Sequence, residues 1–380
     1  MRKIKTAIVG TGFMGKVHAE QVRRLGNVEV AAVVGSRPER AKKFAEAYGV
    51  PFSTDKLDDV LKEKDIEAIH ICTPNVDHFP QSRAALNAGK AVLCEKPMTM
   101  TVAEARQLVE LAKEKNAINC VQHNLRYYPV LQQVRQMIAA GDLGEILIAQ
   151  GTYSQDWLLY DTDWNWRVDT HENGRLRVMG DIGSHWMDMI QHLTGLPITA
   201  VCADLATFHK TRRRPKGSVE TFTGKKSGVG DTEEFAVDSD DFGAVLLHLG
   251  ERARGSFTVS QMSAGRKNRF YFEIFGTKAG IAWNQEQPDT LWVGHRNEPN
   301  ELIVKDASLF YPEAAKFADL PGGHSEGYDD SHKQVFKNFY ARVADPAVPI
   351  NYPTFEDGLR GMILLDKVAE SSARKAWVEV

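Results

Sequence analysis

Apolar residues in the first third of the chain come in short runs: Ile4 to Val9, Val28 to Val34, Ala68 to Cys72, Ala91 to Cys94 and Ile118 to Val121. Runs of this length bounded by turn residues read as buried strands. Between them, apolar positions recur at helical spacing over Lys16 to Leu25, Glu39 to Tyr48, Leu57 to Lys62, Phe79 to Ala88 and Val102 to Lys115. Strands and helices alternating in this way predict an α/β fold with a doubly wound parallel sheet. Thr101 followed by Glu104 spells a capping box at the head of a strongly amphipathic helix.

Beyond Arg126 the rhythm changes. Helical periods occur over Pro129 to Ala140, Gly183 to Leu193 and Thr354 to Ala373. Elsewhere strand-like segments follow one another: Ile146 to Tyr153, Ile198 to Thr207, Gly243 to Leu249, Ala253 to Gln261, Arg269 to Gly276 and Ala279 to Trp283. Strands in succession predict an α+β domain with a large, open, mostly antiparallel sheet. The expected division is one domain over 1–124 and a second over 125–380. The polar stretch from His209 to Asp240, with Arg212, Arg213 and Arg214 in a row, reads as a solvated surface arm.

Composition narrows the class. A chain of 380 residues can bury two cores. A net charge of −3, from 47 basic and 50 acidic residues, supplies no field to hold nucleic acid. The four cysteines (Cys72, Cys94, Cys120 and Cys202) lack metal-ligand spacing, so neither a zinc site nor a disulfide framework is expected. No apolar run reaches membrane-spanning length, and a cytoplasmic protein without a membrane partner is expected.

Five clusters carry chemistry. Gly10-Thr11-Gly12-Phe13-Met14-Gly15 follows the first strand and opens the first helix. There, glycines allow a tight turn and close approach of a pyrophosphate to the positive end of the helix dipole. The second strand ends at Gly35-Ser36-Arg37, without the acid that usually holds a ribose 2′-hydroxyl. Ser36 and Arg37 could bind a 2′-phosphate, which leans the cofactor toward NADP; an exposed Arg37 would leave NAD acceptable. Thr73-Pro74-Asn75, with His78 after it, and Glu95-Lys96-Pro97 stand at the carboxyl ends of strands, where ligands gather in open parallel sheets. Lys96 either projects its ammonium into that crevice or pairs with a surface neighbour. Asp181 and His185 lie four apart at a helix start, so they share a face. They form either a carboxylate-oriented general base or a helix cap beside a packed imidazole.

With GxGxxG, EKP and DxxxH in this order, the chain resembles the Gfo/Idh/MocA family of sugar and cyclitol dehydrogenases over essentially its whole length. Arg126-Tyr127 with Pro129, Gly141 to Ile146, and Phe275-Gly276-Thr277 look like further landmarks of that family. The resemblance implies NAD(P)-dependent transfer of a hydride between nicotinamide and a secondary alcohol or ketone of a sugar, glycoside or cyclitol. Lys96, Asp181 and His185 fall on the catalytic positions, and Lys96–Pro97 on a cis peptide. Expected cofactor contacts are Gly10, Gly12, Phe13, Met14, Gly15, Ser36, Arg37, Thr73, Pro74, Asn75, His78, Glu95, Lys96 and Arg167. Besides the catalytic positions, His123, Arg126, Tyr127, Trp157, His324 and Tyr328 are candidates for lining the substrate pocket. The segments from Gln155-Asp156-Trp157 to Trp164-Asn165-Trp166-Arg167, and Pro321 to His324 with Glu326, look like those of a branch that handles glycosides or polyols. By analogy the protein is a homodimer or homotetramer. Two alternatives are a glycosidase that keeps NAD bound and works by transient oxidation, and a dinucleotide sensor without catalysis.

Overall fold

The computed structural model describes residues 2–217 and 231–380. The N-terminal alternation folds as β1 (Ile4–Val9), α1 (Phe13–Arg23), β2 (Val28–Val34), α2 (Pro38–Tyr48), β3 (Phe52–Thr54) and α3 (Leu57–Leu61). It continues through β4 (Ile66–Ile71), α4 (Asn75–Asn87), β5 (Ala91–Cys94), α5 (Val102–Glu114) and β6 (Asn119–Val121). The six strands run parallel in the order β3-β2-β1-β4-β5-β6. The order reverses between β1 and β4, which makes the carboxyl ends of those two strands the ligand-binding edge. β3 is only three residues long and carries an exposed Phe52, so it leaves little trace in the hydrophobic pattern. The capping box closes as expected: the Thr101 hydroxyl accepts from the Glu104 N–H at 3.2 Å, and the Glu104 carboxylate accepts from the Thr101 N–H at 3.0 Å.

The chain then forms α6 (Pro129–Ala140), β7 (Ile146–Ser154), α7 (Thr170–Asn173), α8 (Ser184–Thr194) and β8 (Ile198–Ala206). β9 (Thr211–Pro215), β10 (Thr232–Ala236), β11 (Phe242–Leu249), β12 (Ala253–Ser260), β13 (Arg269–Gly276) and β14 (Gly280–Asn284) follow. Last come β15 (Thr290–Gly294), β16 (Glu301–Val304), α9 (Pro312–Ala315), α10 (Tyr328–Ala344), α11 (Phe355–Arg374) and β17 (Val378–Glu379). A nine-stranded sheet takes the order β16-β15-β14-β13-β7-β12-β11-β8-β17. Only β7 and β12 pair in parallel; the other neighbours are antiparallel. α8 packs on this sheet through Trp186, which stacks on Phe257 with ring centroids 4.4 Å apart. Gly151 makes room for it, since a Cβ there would stand 2.9 Å from the indole nitrogen.

Two compact units make up the described chain. One holds the residues up to Asn124 together with His171–Gly174 and His332–Met362; the other holds Leu125–Thr170, the described part of Arg175–Ser331, and Ile363–Val380. Among the described residues no helix is long and apolar enough to cross a membrane.

The described part of His209 to Asp240 is not the wholly solvated arm expected of it. β9 and β10 pair antiparallel, and alternation along β9 turns Arg212 inward while Arg213 and Arg214 stay exposed. The buried Arg212 guanidinium donates to the carbonyls of Leu158 (2.9 Å) and Tyr160 (2.8 Å) and to Asp241 (2.9 Å). Phe235 of β10 packs edge-on against Trp164, centroids 4.8 Å apart. A run of three arginines looks wholly solvated in sequence because the burial of one of them depends on carbonyls some fifty residues away. Residues 218–230 of this stretch lie outside the described residues.

Candidate functional site

The glycine turn is shaped by sterics. Gly10 has φ +110°, and a Cβ on it would meet the Cys72 carbonyl oxygen at 2.4 Å; a Cβ on Gly15 would meet the Gly10 oxygen at 2.1 Å. These two glycines let strand and helix approach each other. Gly12 differs: a Cβ there would meet nothing within 4 Å. The space it leaves lies at the first turn of α1, where Gly12 itself is the N-cap and offers no side chain. Such a cradle, open space beside the first turn of a helix, has the room and the N–H groups that a diphosphate needs. At the end of β2, Ser36 and Arg37 are exposed, with Arg37 the N-cap of α2.

At the ends of β4 and β5 the side chains divide between the ligand edge and the interior. Thr73 and Pro74 are half-buried, and the Thr73 hydroxyl donates to Gln81 at 2.8 Å. α4 begins at Asn75, four residues before the expected Phe79, so Asn75 and His78 lie in its first turn. The Asn75 amide donates to the Asn173 carbonyl at 2.8 Å. His78 is buried, with Nδ1 2.8 Å from the Pro97 carbonyl and Nε2 2.9 Å from that of Thr73. The imidazole therefore ties the two turns together. The Lys96–Pro97 peptide is cis, and Lys96 is half-buried.

Glu95, expected as a cofactor contact, has a buried carboxylate. Its Oε1 lies 2.9 Å from His18 Nε2, and its Oε2 accepts the Lys96 N–H at 3.3 Å. His18 Nδ1 lies 2.8 Å from His70 Nδ1, and His70 Nε2 lies 2.7 Å from the Tyr340 hydroxyl. Both imidazoles are fully buried, with Phe336 packed edge-on at 4.8 and 5.0 Å. Burial pushes the His18 pKa down to about 3 and that of His70 well below its ordinary value, while it raises the Glu95 carboxyl. Below about pH 6.5 the unfolded chain protonates both histidines and the folded chain does not, so stability falls as pH drops toward about 3. The raised Glu95 carboxyl opposes this as one group against two. Urea titrations between pH 7 and 4 are expected to give a shallower acid loss for His18→Gln than for the native chain.

In the second unit, the parallel pairing of β7 and β12 brings their carboxyl ends to one edge of the sheet, with Ser154 opposite Ser260. Asn268 precedes β13, whose antiparallel pairing starts with Arg269 opposite the same Ser154. Tyr153 donates to the Asn268 amide oxygen at 2.8 Å, Gln155 donates to the same oxygen at 2.8 Å, and Trp157 Nε1 donates to Gln155 at 2.8 Å. Asp181 sits in a five-residue π turn, Met179–Gly183, immediately before α8. Its Oδ1 accepts from Arg167 Nε at 3.1 Å and its Oδ2 from Gln261 Nε2 at 2.8 Å. π turns widen a helix locally and recur at functional sites. The fully buried Asp240 carboxylate accepts the N–H groups of Arg177 (2.6 Å) and Met179 (2.8 Å), which fixes the turn's entry. His185 follows Asp181 by four residues, 8 % exposed, with its ring centroid 6.3 Å from that of Tyr153. The result is an imidazole and a fixed carboxylate on one helix start, beside a network of amides and a phenol suited to hydroxyl groups.

Arg167, expected beside the cofactor, is thus engaged with Asp181 and stacks on Trp166 at 4.5 Å. The Arg126 guanidinium pairs with Asp188, Nε to Oδ2 at 2.8 Å, and both are largely buried. Tyr127 is buried against Phe317, centroids 5.6 Å apart, and His123 is buried after β6. Trp157 and Tyr328 are half-buried and His324 is exposed. Tyr153, Gln261 and Asn268 belong to no sequence motif. Their signal was positional: Tyr153 and Gln261 close two of the expected strands, and strand ends gather ligands only once their parallel pairing is known.

Residues 4–123 match a family model described as an oxidoreductase family with an NAD-binding Rossmann fold, and residues 131–282 match the GFO/IDH/MocA C-terminal domain. Levoglucosan dehydrogenase of Pseudarthrobacter phenanthrenivorans is 28% identical over 392 aligned positions, covering 100% of this chain and 99% of that protein. A structure of levoglucosan dehydrogenase in complex with NADH and levoglucosan superposes with a TM-score of 0.89 at 27% identity, covering 100% of both chains. An oxidoreductase from Sinorhizobium meliloti superposes with a TM-score of 0.82 at 30% identity, also covering 100% of both.

Proposed function

The chain belongs to the Gfo/Idh/MocA oxidoreductase family, and from that premise we propose that it oxidises a secondary alcohol of a sugar, glycoside or cyclitol, and reduces the matching ketone, with NAD(P). The observation that carries this assignment is the Asp181 carboxylate clamped by Arg167 and Gln261 four residues before the buried His185. When bound, the nicotinamide supplies the hydride acceptor for oxidation and the donor for the reverse reaction. The protein supplies proton chemistry and charge. His185 takes the hydroxyl proton as general base and returns it in reduction. Asp181, its orientation set by two donors, holds the imidazole's charged form and accepts from a substrate hydroxyl. Lys96 donates to the reacting oxygen and stabilises its developing negative charge. Tyr153, Gln155 and Asn268 offer further partners to a polyol.

The test follows nicotinamide absorbance over a panel of levoglucosan and other glycosides, inositols and aldoses, with NAD and NADP run separately. Reduction of the cofactor by at least one polyol is expected. Release of free sugar without net reduction, or tight dinucleotide binding without turnover across the panel, would replace this assignment.

The finer choice of cofactor rests on the exposed Ser36 and Arg37 after β2, from which we propose a preference for NADP. Arg37→Ala is expected to lower kcat/KM for NADP about tenfold and leave that for NAD unchanged, because only the 2′-phosphate needs the guanidinium. Equal effects on both cofactors would count against it. We further propose a cytoplasmic homodimer or homotetramer, to be tested by light scattering.

A further inference from the structure

The line Tyr340–His70–His18–Glu95 is buried from end to end and ends one residue before Lys96. Tyr340 comes from α10, His70 from β4, His18 from α1, and Glu95 from the turn after β5, so each member comes from a different part of the chain. Relative exposures are 0% for both histidines, 2% for Tyr340 and 6% for Glu95. Burying four polar groups gains nothing over well-packed apolar residues of similar volume unless each finds a partner.

Here each does, and in one order. A neutral imidazole has one N–H, and only one proton fits in the Nδ1 to Nδ1 contact of 2.8 Å. With Glu95 ionised, the His18 proton must sit on Nε2 to donate to the carboxylate, which leaves His18 Nδ1 as acceptor. His70 must then donate from Nδ1, and its Nε2 accepts the Tyr340 hydroxyl proton. Every donor points toward Glu95. Cys72 Sγ adds a weaker contact at 3.2 Å from His18 Nδ1. His78 and His332 are the remaining histidines whose charge bears on this carboxylate. Its other oxygen accepts the Lys96 N–H at 3.3 Å, so a turn of the Glu95 side chain would disturb both contacts at once.

We propose that His18 and His70 are positioning residues for Lys96, fixing through Glu95 both the peptide from which the ammonium is presented and the negative charge beside it. The proposal rests on the role assigned to Lys96 above. A purely structural network would affect stability alone. A positioning network also alters kcat while leaving substrate and cofactor binding intact.

Four variants of the full chain separate these cases. His18→Gln retains a donor and an acceptor, His18→Leu retains neither, Tyr340→Phe removes only the terminal donor, and Lys96→Ala is the reference. With the polyol turned over fastest in the panel, His18→Leu is expected to lose about 10- to 100-fold in kcat, the scale of a small misplacement of a catalytic group. KM and the NADPH dissociation constant should stay near native. His18→Gln should recover most of kcat, and Tyr340→Phe should fall between them. An independent readout is the Lys96 resonance after reductive 13C-methylation of the lysines, which should move in His18→Leu and Tyr340→Phe and return in His18→Gln. Native kcat and an unmoved Lys96 resonance in folded Tyr340→Phe, together with a Lys96→Ala variant that has lost activity, would overturn this proposal alone. Native turnover by Lys96→Ala would remove the role of Lys96 and this proposal with it. If His18→Leu does not fold, Tyr340→Phe and His18→Gln still decide.

Discussion

Replacing His185 by alanine is expected to lower kcat by about 10²- to 10⁴-fold, the usual cost of losing a positioned general base. The size follows from the surroundings. Arg167 and Gln261 donate to the Asp181 carboxylate and stabilise its charged form, which makes it a poor substitute for the imidazole as proton acceptor. Tyr153 lies nearby, but burial raises its phenol well above the ordinary range and its proton is donated to Asn268. Affinity for the reduced dinucleotide, read by fluorescence, should persist, because the change leaves the glycine turn of Gly10 to Gly15 intact. A variant that turned over substrate near the native rate with cofactor bound would remove His185 from the reaction. His185→Asn should not rescue, since an amide cannot accept and return the proton.

Asp241→Ala is expected to cost about 3–5 kcal/mol of stability, the range for breaking a buried ion pair from one side. Asp241 is fully buried between the guanidiniums of Arg177 and Arg212, and its second oxygen accepts the N–H groups of Phe208 (2.7 Å) and His209 (3.1 Å). Removing the carboxylate leaves two buried cations and two backbone donors without it. Burial already pulls the Arg177 pKa down to about 9 and that of Arg212 to about 10, which shows how far the surroundings disfavour uncompensated charge. Arg213→Ala, which breaks an exposed contact with Asp161, should stay within about 0.5 kcal/mol of native. Urea unfolding followed by tryptophan fluorescence compares the two. Similar small losses in both would mean that the Asp241 cluster is solvated in solution.

Much of the architecture is legible in sequence because it depends on local chemistry. The alternation of apolar runs and helical periods yields the parallel sheet, and Thr101 with Glu104 marks the start of α5 to the residue. Gly10 and Gly15 announce their turn because no other residue fits there. What stays hidden depends on partners far along the chain. His18 looks like one more polar position on an amphipathic helix until His70, Glu95 and Tyr340 are placed around it. Glu95 sits in a motif expected at the ligand edge, yet its carboxylate is buried. Arg126 looks like a free cation until Asp188 is seen beneath it. The π turn carrying Asp181 leaves no mark in hydrophobic periodicity, since it is fixed by Asp240 from a loop sixty residues later.

The place of β7 at the middle of the nine-stranded sheet has a consequence during synthesis. Its neighbours are β12 and β13, so both of its edges wait for chain that emerges about a hundred residues later. Until then a nine-residue strand with exposed backbone is open to pairing with another nascent chain. A fragment ending before Ala253 would lack both partners and should aggregate, whereas a fragment reaching past Gly276 contains everything needed to close those edges.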